Sequence, residues 1–536
     1  MSTTPLPPES IGAAVPVSPQ EAGMRLPGEV RRFLASEGFR TILIRGPPGS
    51  GKTPLAARLV EAAGHPAVWV STRFGHPRGS ETPRTADDGV SVGVRRIDLS
   101  LAERVRQGDD HAFEEARRNL LLRDGGADGS APLDWLPPIL REAFPSAGEP
   151  PPSITVAIDS WEGLVDHYLD APQSEGGPSA RPGQVERFLL AQLAERVDRL
   201  VLLTEHEEQT SLDFLVDGIL VTASGDFDDR LVRVMMIAKL AGVPVEETVY
   251  PFTLETGQFT YIHRLPPNPK VIYVGSTRDP DPAADGVWPG STTFHEAFGR
   301  LPLGGMSLLE RDPGVPSEFL RLLTAPFASH VVQGGGRLVG ILPNDVTPLA
   351  LYASIRDAGG AGVMAKQVRF LTSASTDDLS EEIRRLLIPL FPTKVGSDVP
   401  FVPLPDAPSG MSNERVFPEV TRFLHGGEAG RTSGLTIDLE GLQSSAVAMG
   451  RMYTPQNLPT LINMDVQGHP IHAMVSGRSD DPLIAPLRTF ANPYIRLLER
   501  RGRVFLYGVR PWTSAYVLQP QAVEPSEGPY FLTRMS

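Results

Sequence analysis

The chain has 536 residues, 40% hydrophobic and 21% charged, and carries a formal net charge of −14. That length fits two to four structural units, and the acidic balance argues against a broad non-specific grip on nucleic acid or anionic membrane. It has no cysteine, which removes disulfides, thiolate metal sites and cysteine nucleophiles. No apolar run approaches the ~20 residues of a membrane span, and the histidines are scattered without metal-ligand spacing.

Residues 1–25 lack the basic-then-apolar order of a signal peptide and read as a disordered tail on a cytoplasmic protein. Leu26–Glu37 has helical apolar spacing. Next, Thr41–Ile44 forms an apolar strand that runs into Gly46-Pro47-Pro48-Gly49-Ser50-Gly51-Lys52-Thr53, followed by an amphipathic helix with Leu55, Ala56, Leu59 and Val60 on one face and Arg58 opposite. This is the full G-x-x-x-x-G-K-[ST] spacing in its strand–loop–helix context. Glycines let successive backbone N–H groups curl toward phosphates, and the helix start adds unpaired donors and a positive dipole end. Lys52 is expected to reach the β- and γ-phosphates, and the Thr53 hydroxyl to ligate Mg²⁺. Pro54 is tolerated because an N–H in the first helical turn has no intrahelical partner to lose.

Ala67–Thr72 reads as a second buried strand, and Arg73 to about Val92 as a Gly- and Pro-rich loop. Helices are expected within Leu101–Leu122 and Leu136–Phe144, before the prolines at 150–152. Ile154–Asp159 (ITVAID) is an apolar strand ending in a carboxylate, the Walker-B pattern for holding Mg²⁺ beside a P-loop; Asp159 capping the next helix is the competing reading. Gln184–Asp198 is helical, and Leu200–Thr204 and Arg230–Lys239 are strands, with Arg233 and Lys239 on one face by period two. Thr253–Tyr261 closes the unit as a hairpin partner. Alternating β and α elements with the P-loop on the first strand give an α/β fold, a doubly wound, mostly parallel sheet ending in antiparallel hairpins, which is the RecA-like class.

The segments IRGPPGSGKT, VAIDSWEGL, VDGILVTASGDFDDRLVRVMMIAKLAG and PFTLETGQFTYI, in that order, resemble the KaiC/GvpD branch of the RecA-fold ATPases over residues 26–265. The resemblance implies ATP binding, often at a subunit interface of a ring, and roles in signalling, regulation or DNA repair. In that family the water-activating glutamate follows the second strand, whereas Val70–Phe74 here holds no carboxylate. A K-x-R pattern contributed by a ring neighbour is reduced to the lysine of Lys239-Leu240-Ala241. Loss of a base costs about 10²–10⁴ in rate and loss of an arginine finger about 10³–10⁵, so hydrolysis is expected to be slow or absent, and no catalytic residue is assigned. Three substitutes are open: Glu162, whose favoured reading is a surface helix residue; Glu205, in a run with His206, Glu207 and Glu208; and Arg73 as a clamp on the γ-phosphate.

Residues 266–293 shift to Pro, Asp and Gly and read as a linker. Residues 294–536 then resemble the same family again: Met306–Glu310 as the P-loop strand, Phe319–Val332 as the helix, Arg337–Leu342 as the second strand, Leu435–Gly441 (LTIDLEG) echoing VAIDSWEG, and Arg503–Val509 and Ser514–Leu518 as late strands. The loop position, Arg311–Glu318, has no lysine and places Glu318 where the hydroxyl ligand belongs. The expectation is two tandem RecA-like copies, the second degenerate and unable to hold a triphosphate. Arg500-Arg501-Gly502-Arg503, with Arg496 upstream, reads as a basic helix C-terminus capped by Gly502, the alternative being a phosphate grip on nucleic acid. Trp161 and Trp512 read as core or lid residues. The functional expectation is an ATP- and Mg²⁺-binding regulatory switch with a protein partner and a possible oligomer. A ring-forming ATPase in DNA recombination is the alternative, nucleic acid being the less favoured partner.

Overall fold

The computed structural model describes residues 26–71, 94–98, 153–169, 181–194, 197–206, 208–255, 257–264, 279–282, 284–341, 367–371, 423–424, 431–440, 471–520 and 530–535. The chain divides into two compact units that meet at Ile262/His263. The expected loop at 73–92 and the helices at 101–122 and 136–144 lie outside the described residues, as does Arg73.

In the first unit the strands are β1 (Arg40–Arg45), β2 (Ala67–Ser71), β3 (Val94–Asp98), β4 (Thr155–Asp159), β5 (Arg199–Thr204), β6 (Gly218–Asp226), β7 (Leu231–Leu240), β8 (Val249–Thr253) and β9 (Thr260–Tyr261). They form one sheet in the order β3-β2-β4-β5-β1-β6-β7-β8-β9. All pairings from β3 through β6 are parallel, and β6 through β9 are antiparallel. The helices are α1 (Gly28–Leu34), α2 (Lys52–Ala63), α3 (Trp161–Leu169) and α4 (Pro182–Ala194). Parallel strands buried on both faces read as continuous apolar runs. In β1, Leu43 packs on one face with α3 and α4, while Ile42 and Ile44 pack on the other with α1 and α2; in β5, Leu200 and Leu202 oppose Val201 and Leu203 in the same way. Trp161 is a core residue, 1% exposed.

The second unit repeats this plan. Its strands are β10 (Met306–Arg311), β11 (Leu338–Ile341), β12 (Val368–Leu371), β13 (Ser433–Asp438), β14 (Ile471–Arg478), β15 (Tyr494–Arg500), β16 (Arg503–Arg510), β17 (Tyr516–Pro520) and β18 (Tyr530–Arg534). Their order is β12-β11-β13-β14-β10-β15-β16-β17-β18, which is the first order with nine added to every label. The helices α5 (Thr292–Phe298), α6 (Ser317–Gln333) and α7 (Ile484–Leu487) flank it. The two sheets even share an irregularity: the pairing register shifts between Ile219 and Leu220 in one and between Tyr494 and Ile495 in the other. The chain is therefore two tandem RecA-like α/β domains, as the motif order implied.

Register fixes the equivalences. Asp159 aligns with Asp438, since each lies across the sheet from the neighbour of the first strand. Arg45 then aligns with Glu310, Gly46 with Arg311, and Lys52 with Ser317, the first residue of each following helix. Residues 500–503 are a two-residue hairpin, not a helix end: Arg500 pairs with Arg503, and Arg501 and Gly502 take φ of 55° and 72°. Such turns need positive φ at both central positions, so Gly502 serves the hairpin rather than a cap. Trp512 is 63% exposed, which removes the core alternative of its core-or-lid reading.

Candidate functional site

The loop after β1 is held by close backbone approach. Gly46 has φ of +149°, and a Cβ there would lie 2.1 Å from the Thr222 carbonyl oxygen on β6 and 2.7 Å from its hydroxyl. Gly51, at φ +98°, sits against the Phe252 ring, 3.0 Å from where its Cβ would be. Between them the Ser50 and Thr222 hydroxyls are 2.7 Å apart and buried. Glycine is thus imposed at both ends of the loop by β6 and β8, the antiparallel part of the sheet. Lys52 opens α2 and is 4% exposed; its ammonium donates to the Gly46 and Pro47 carbonyls, the latter at 3.0 Å. Thr53 Oγ1 donates to Asp159 Oδ2 at 3.1 Å, with Asp159 fully buried at the tip of β4. Of the expected loop, Gly46 through Thr53, it is Thr53 that reaches Asp159, while Ser50 is tied to Thr222 and Lys52 folds back on Gly46 and Pro47. A glycine-bound loop packed on β6 and β8, with a buried lysine and a hydroxyl–carboxylate pair beside it, carries the donor set that a phosphate chain with a divalent cation needs.

Charged side chains below this edge stiffen it. Arg45 is held by Asp213 in a buried pair at 2.8 Å and donates to the Glu208 carbonyl at 3.1 Å. Arg58 is also buried: instead of facing solvent from α2, it donates to the Phe259 carbonyl and pairs with Glu61 at 2.6 Å, pinning the β8–β9 turn. Lys239 donates to the Asp213 and Val216 carbonyls of its own unit at 3.1 and 2.6 Å. Arg233 and Lys239 do not share a face. The register shift in β7 inserts one residue, so Met235, Ile237 and Leu240 pack into the same cluster and Lys239 turns to the other side. Arg233 stays on the Met235 side, paired in register with Ser224 and Phe252, and its Nε and Nη1 are buried without a hydrogen-bond partner among the described residues. Burial lowers its pKa.

Glu162 departs most from the sequence reading. It lies in the first turn of α3, its side chain only 27% exposed, and accepts from the Thr204 hydroxyl at the tip of β5. His206 Nε2 lies 3.9 Å from the same carboxylate oxygen, and the His206 N–H donates to the Thr204 hydroxyl at 3.1 Å. Burial raises the pKa of Glu162, against backbone donors and His206 acting the other way. A surface residue would show none of this. No local pattern could have located it, because its partner is on a strand 42 residues away. Glu205 and His206 are exposed.

At the equivalent edge of the second unit, Arg311 occupies the Gly46 position. Its guanidinium donates to the Val315 carbonyl and to Glu440, both at 2.9 Å. Glu310, 1% exposed, accepts from Arg488 at 2.8 and 2.9 Å and from the Tyr494 hydroxyl at 2.6 Å. Asp438 accepts from the Ser476 hydroxyl at 2.9 Å.

Fold and loop together define the chain as a P-loop, ATPase-like protein. No protein-family model matches it. It is similar to Protein GvpD2 of Halobacterium salinarum, 30% identical over 242 residues (44% of each chain), and to Protein GvpD1 of the same organism, 27% identical over 337 residues (61% of this chain, 58% of the relative). The matches thus span about half the length of these relatives. It is also 25% identical over 151 residues to the ATP-dependent protease ATPase subunit HslU of Treponema denticola, covering 27% of this chain and 30% of that one. No helix among the described residues is long and apolar enough to cross a membrane.

Proposed function

We propose that the chain is a KaiC/GvpD-like regulatory protein that binds ATP with Mg²⁺ in its first domain and uses nucleotide state as a switch toward a protein partner, with slow hydrolysis at most. The domain division we propose is 1–25 as a tail, 26–265 as the nucleotide-binding domain, 266–293 as a connection and 294–536 as the second copy, which carries no triphosphate. The supporting observation is the cradle itself: glycines forced by β6 and β8, the buried Lys52, and Thr53 bonded to Asp159. Gly46 through Thr53 would take the phosphates on backbone N–H groups and Lys52, and Thr53 with Asp159 would hold the cation. Bound Mg²⁺ supplies positive charge against the phosphate oxygens. The HslU likeness supports ATP as the nucleotide.

Two features favour a switch over a ring engine. Lys239 is engaged within its own unit, and Val70–Phe74 lacks a carboxylate. In the second copy, Arg311, paired with Glu440, stands at the position that Gly46 holds in the first. The experiment is equilibrium nucleotide binding and steady-state phosphate release for wild type and Lys52→Ala, across protein concentration. The switch reading expects ATP binding with Mg²⁺ that Lys52→Ala abolishes, and turnover well below the roughly 1–10³ s⁻¹ of ordinary enzymes. Turnover that climbs with protein concentration or with single-stranded DNA favours the ring ATPase instead, and absence of nucleotide binding defeats both.

A further inference from the structure

Glu162, Thr204 and His206 form a connected group that the binding reading leaves without a role. Thr204 lies beside Arg45 in the β1–β5 register, one residue before Gly46, and β4, which ends at Asp159, flanks β5 on the other side. The hydroxyl that holds Glu162 therefore sits on the same sheet edge as the phosphate loop and the Asp159 carboxylate. Glu162 Oε1 is committed to Thr204, whereas Oε2 is buried and takes no hydrogen bond among the described residues. A buried carboxylate oxygen left open is costly unless something donates to it. Water entering beside a bound triphosphate is such a donor.

Resting on the nucleotide-binding reading above, we propose that Glu162 orients and deprotonates the attacking water in a slow intrinsic hydrolysis of ATP, with Thr204 positioning its carboxylate. In the step, the water oxygen forms a bond to the γ-phosphorus as the bond from that phosphorus to the β–γ bridging oxygen breaks. The bond's electron pair leaves with ADP, and the water proton passes to Glu162 Oε2. His206, 65% exposed, lies 3.9 Å from the other oxygen, Oε1, at the solvent side of the carboxylate. Burial holds the Glu162 carboxyl above its ordinary range despite His206 opposing it, while Glu205 pushes in the same direction; a stronger base near neutral pH suits proton acceptance. The arrangement supplies in α3 the carboxylate missing after β2.

The test compares wild type, Glu162→Gln and Thr204→Val as full chains, by ATP and ADP affinity, single-turnover release of phosphate from radiolabelled ATP, and thermal unfolding. The amide of Glu162→Gln still accepts from Thr204, so unfolding and ADP affinity stay within about twofold of wild type. ATP binds several-fold more tightly, because one negative charge near the γ-phosphate is gone, and phosphate release falls about 10²–10³-fold. Thr204→Val keeps the carboxylate but not its anchor and loses about tenfold in release. The proposal is overturned if Glu162→Gln releases phosphate at the wild-type rate, or if its ATP and ADP affinities change together. Wild type that binds ATP yet releases no phosphate in a single turnover also overturns it and leaves the switch reading standing. Wild type that binds no ATP ends both, and the binding measurement alone separates the two cases.

Discussion

Gly46→Ala is the substitution the loop geometry constrains most tightly. Its new Cβ would stand 2.1 Å from the Thr222 carbonyl oxygen, 2.7 Å from the Thr222 hydroxyl and 2.9 Å from Ser50 Oγ. Ordinary C···O contact begins at about 3.3 Å, so loop or strand must move by about an ångström. Overpacking of this kind costs about 1–3 kcal/mol, and φ of +149° is a glycine region whose occupation by another residue costs about 1–3 kcal/mol. Together these reach about 2–6 kcal/mol, a large part of the about 5–15 kcal/mol that stabilises a folded protein. Gly49→Ala is the control: φ is +75° and nothing lies within 4 Å, so only the left-handed backbone term of about 1–2 kcal/mol applies. Urea unfolding followed by circular dichroism, beside ATP titration by fluorescence anisotropy, separates the outcomes. Gly46→Ala should lose nucleotide affinity and stability together, and Gly49→Ala far less of either. A Gly46→Ala protein that matches wild type in both would show that β6 does not confine the loop.

Breaking the Arg45–Asp213 pair with Asp213→Asn should cost about 3–5 kcal/mol in urea unfolding, while an Arg45→Met/Asp213→Leu double variant should cost much less; equal losses would show that the pair is not desolvated. Lys239→Ala should destabilise by about 1–3 kcal/mol, by stranding the Asp213 and Val216 carbonyls, and should leave phosphate release per chain unchanged; release lost in Lys239→Ala and regained on mixing with Lys52→Ala chains would instead mean that Lys239 acts on a neighbour. His472 is fully buried, with Nδ1 donating to the Pro302 carbonyl and Nε2 facing Ser307, and burial lowers its pKa to about 4. Its folded pKa is below the unfolded value, so its contribution is complete above about pH 6.5 and is lost as pH falls toward 4, on the order of 3 kcal/mol. The acid limb of unfolding in His472→Gln should be shallower, and an unchanged limb would contradict the neutral, buried imidazole.

What the sequence made legible was local. The P-loop and Asp159 are short motifs whose chemistry depends on residues within a few positions, and the helix start at Lys52 follows from the loop itself. The duplication was legible through LTIDLEG and the apolar strand at 306–310, because each echoes its counterpart in type and order. Strands β3, β12 and β18 carry no such echo: VRRID, VRFL and YFLTR become strands through their neighbours in the sheet rather than through an intrinsic pattern. Strict alternation misplaced Lys239 because one inserted residue in β7 inverts every side chain beyond it. Arg501-Gly502 is ambiguous between a helix cap and a hairpin turn until its flanks are known, since both need positive φ. Spacing gives Glu162 a surface reading and sets Arg58 opposite the apolar face, because it cannot reveal Thr204 or Phe259 as partners.

One pair of interactions carries a consequence for how the duplicated chain assembles. Arg45 on β1 meets Asp213 in the segment between the fifth and sixth strands, and its counterpart Glu310 on β10 meets Arg488 in the matching segment. The polarity is reversed. Were β10 to insert into the first sheet in place of β1, Glu310 would face the buried Asp213, and β1 in the second sheet would set Arg45 against the half-exposed Arg488, each a like-charge contact. Repeated domains are prone to exchanging equivalent elements as they fold, and this inversion penalises the exchange, most where Glu310 would meet the buried Asp213. Each half thereby recognises its own central strand by sign as well as by shape.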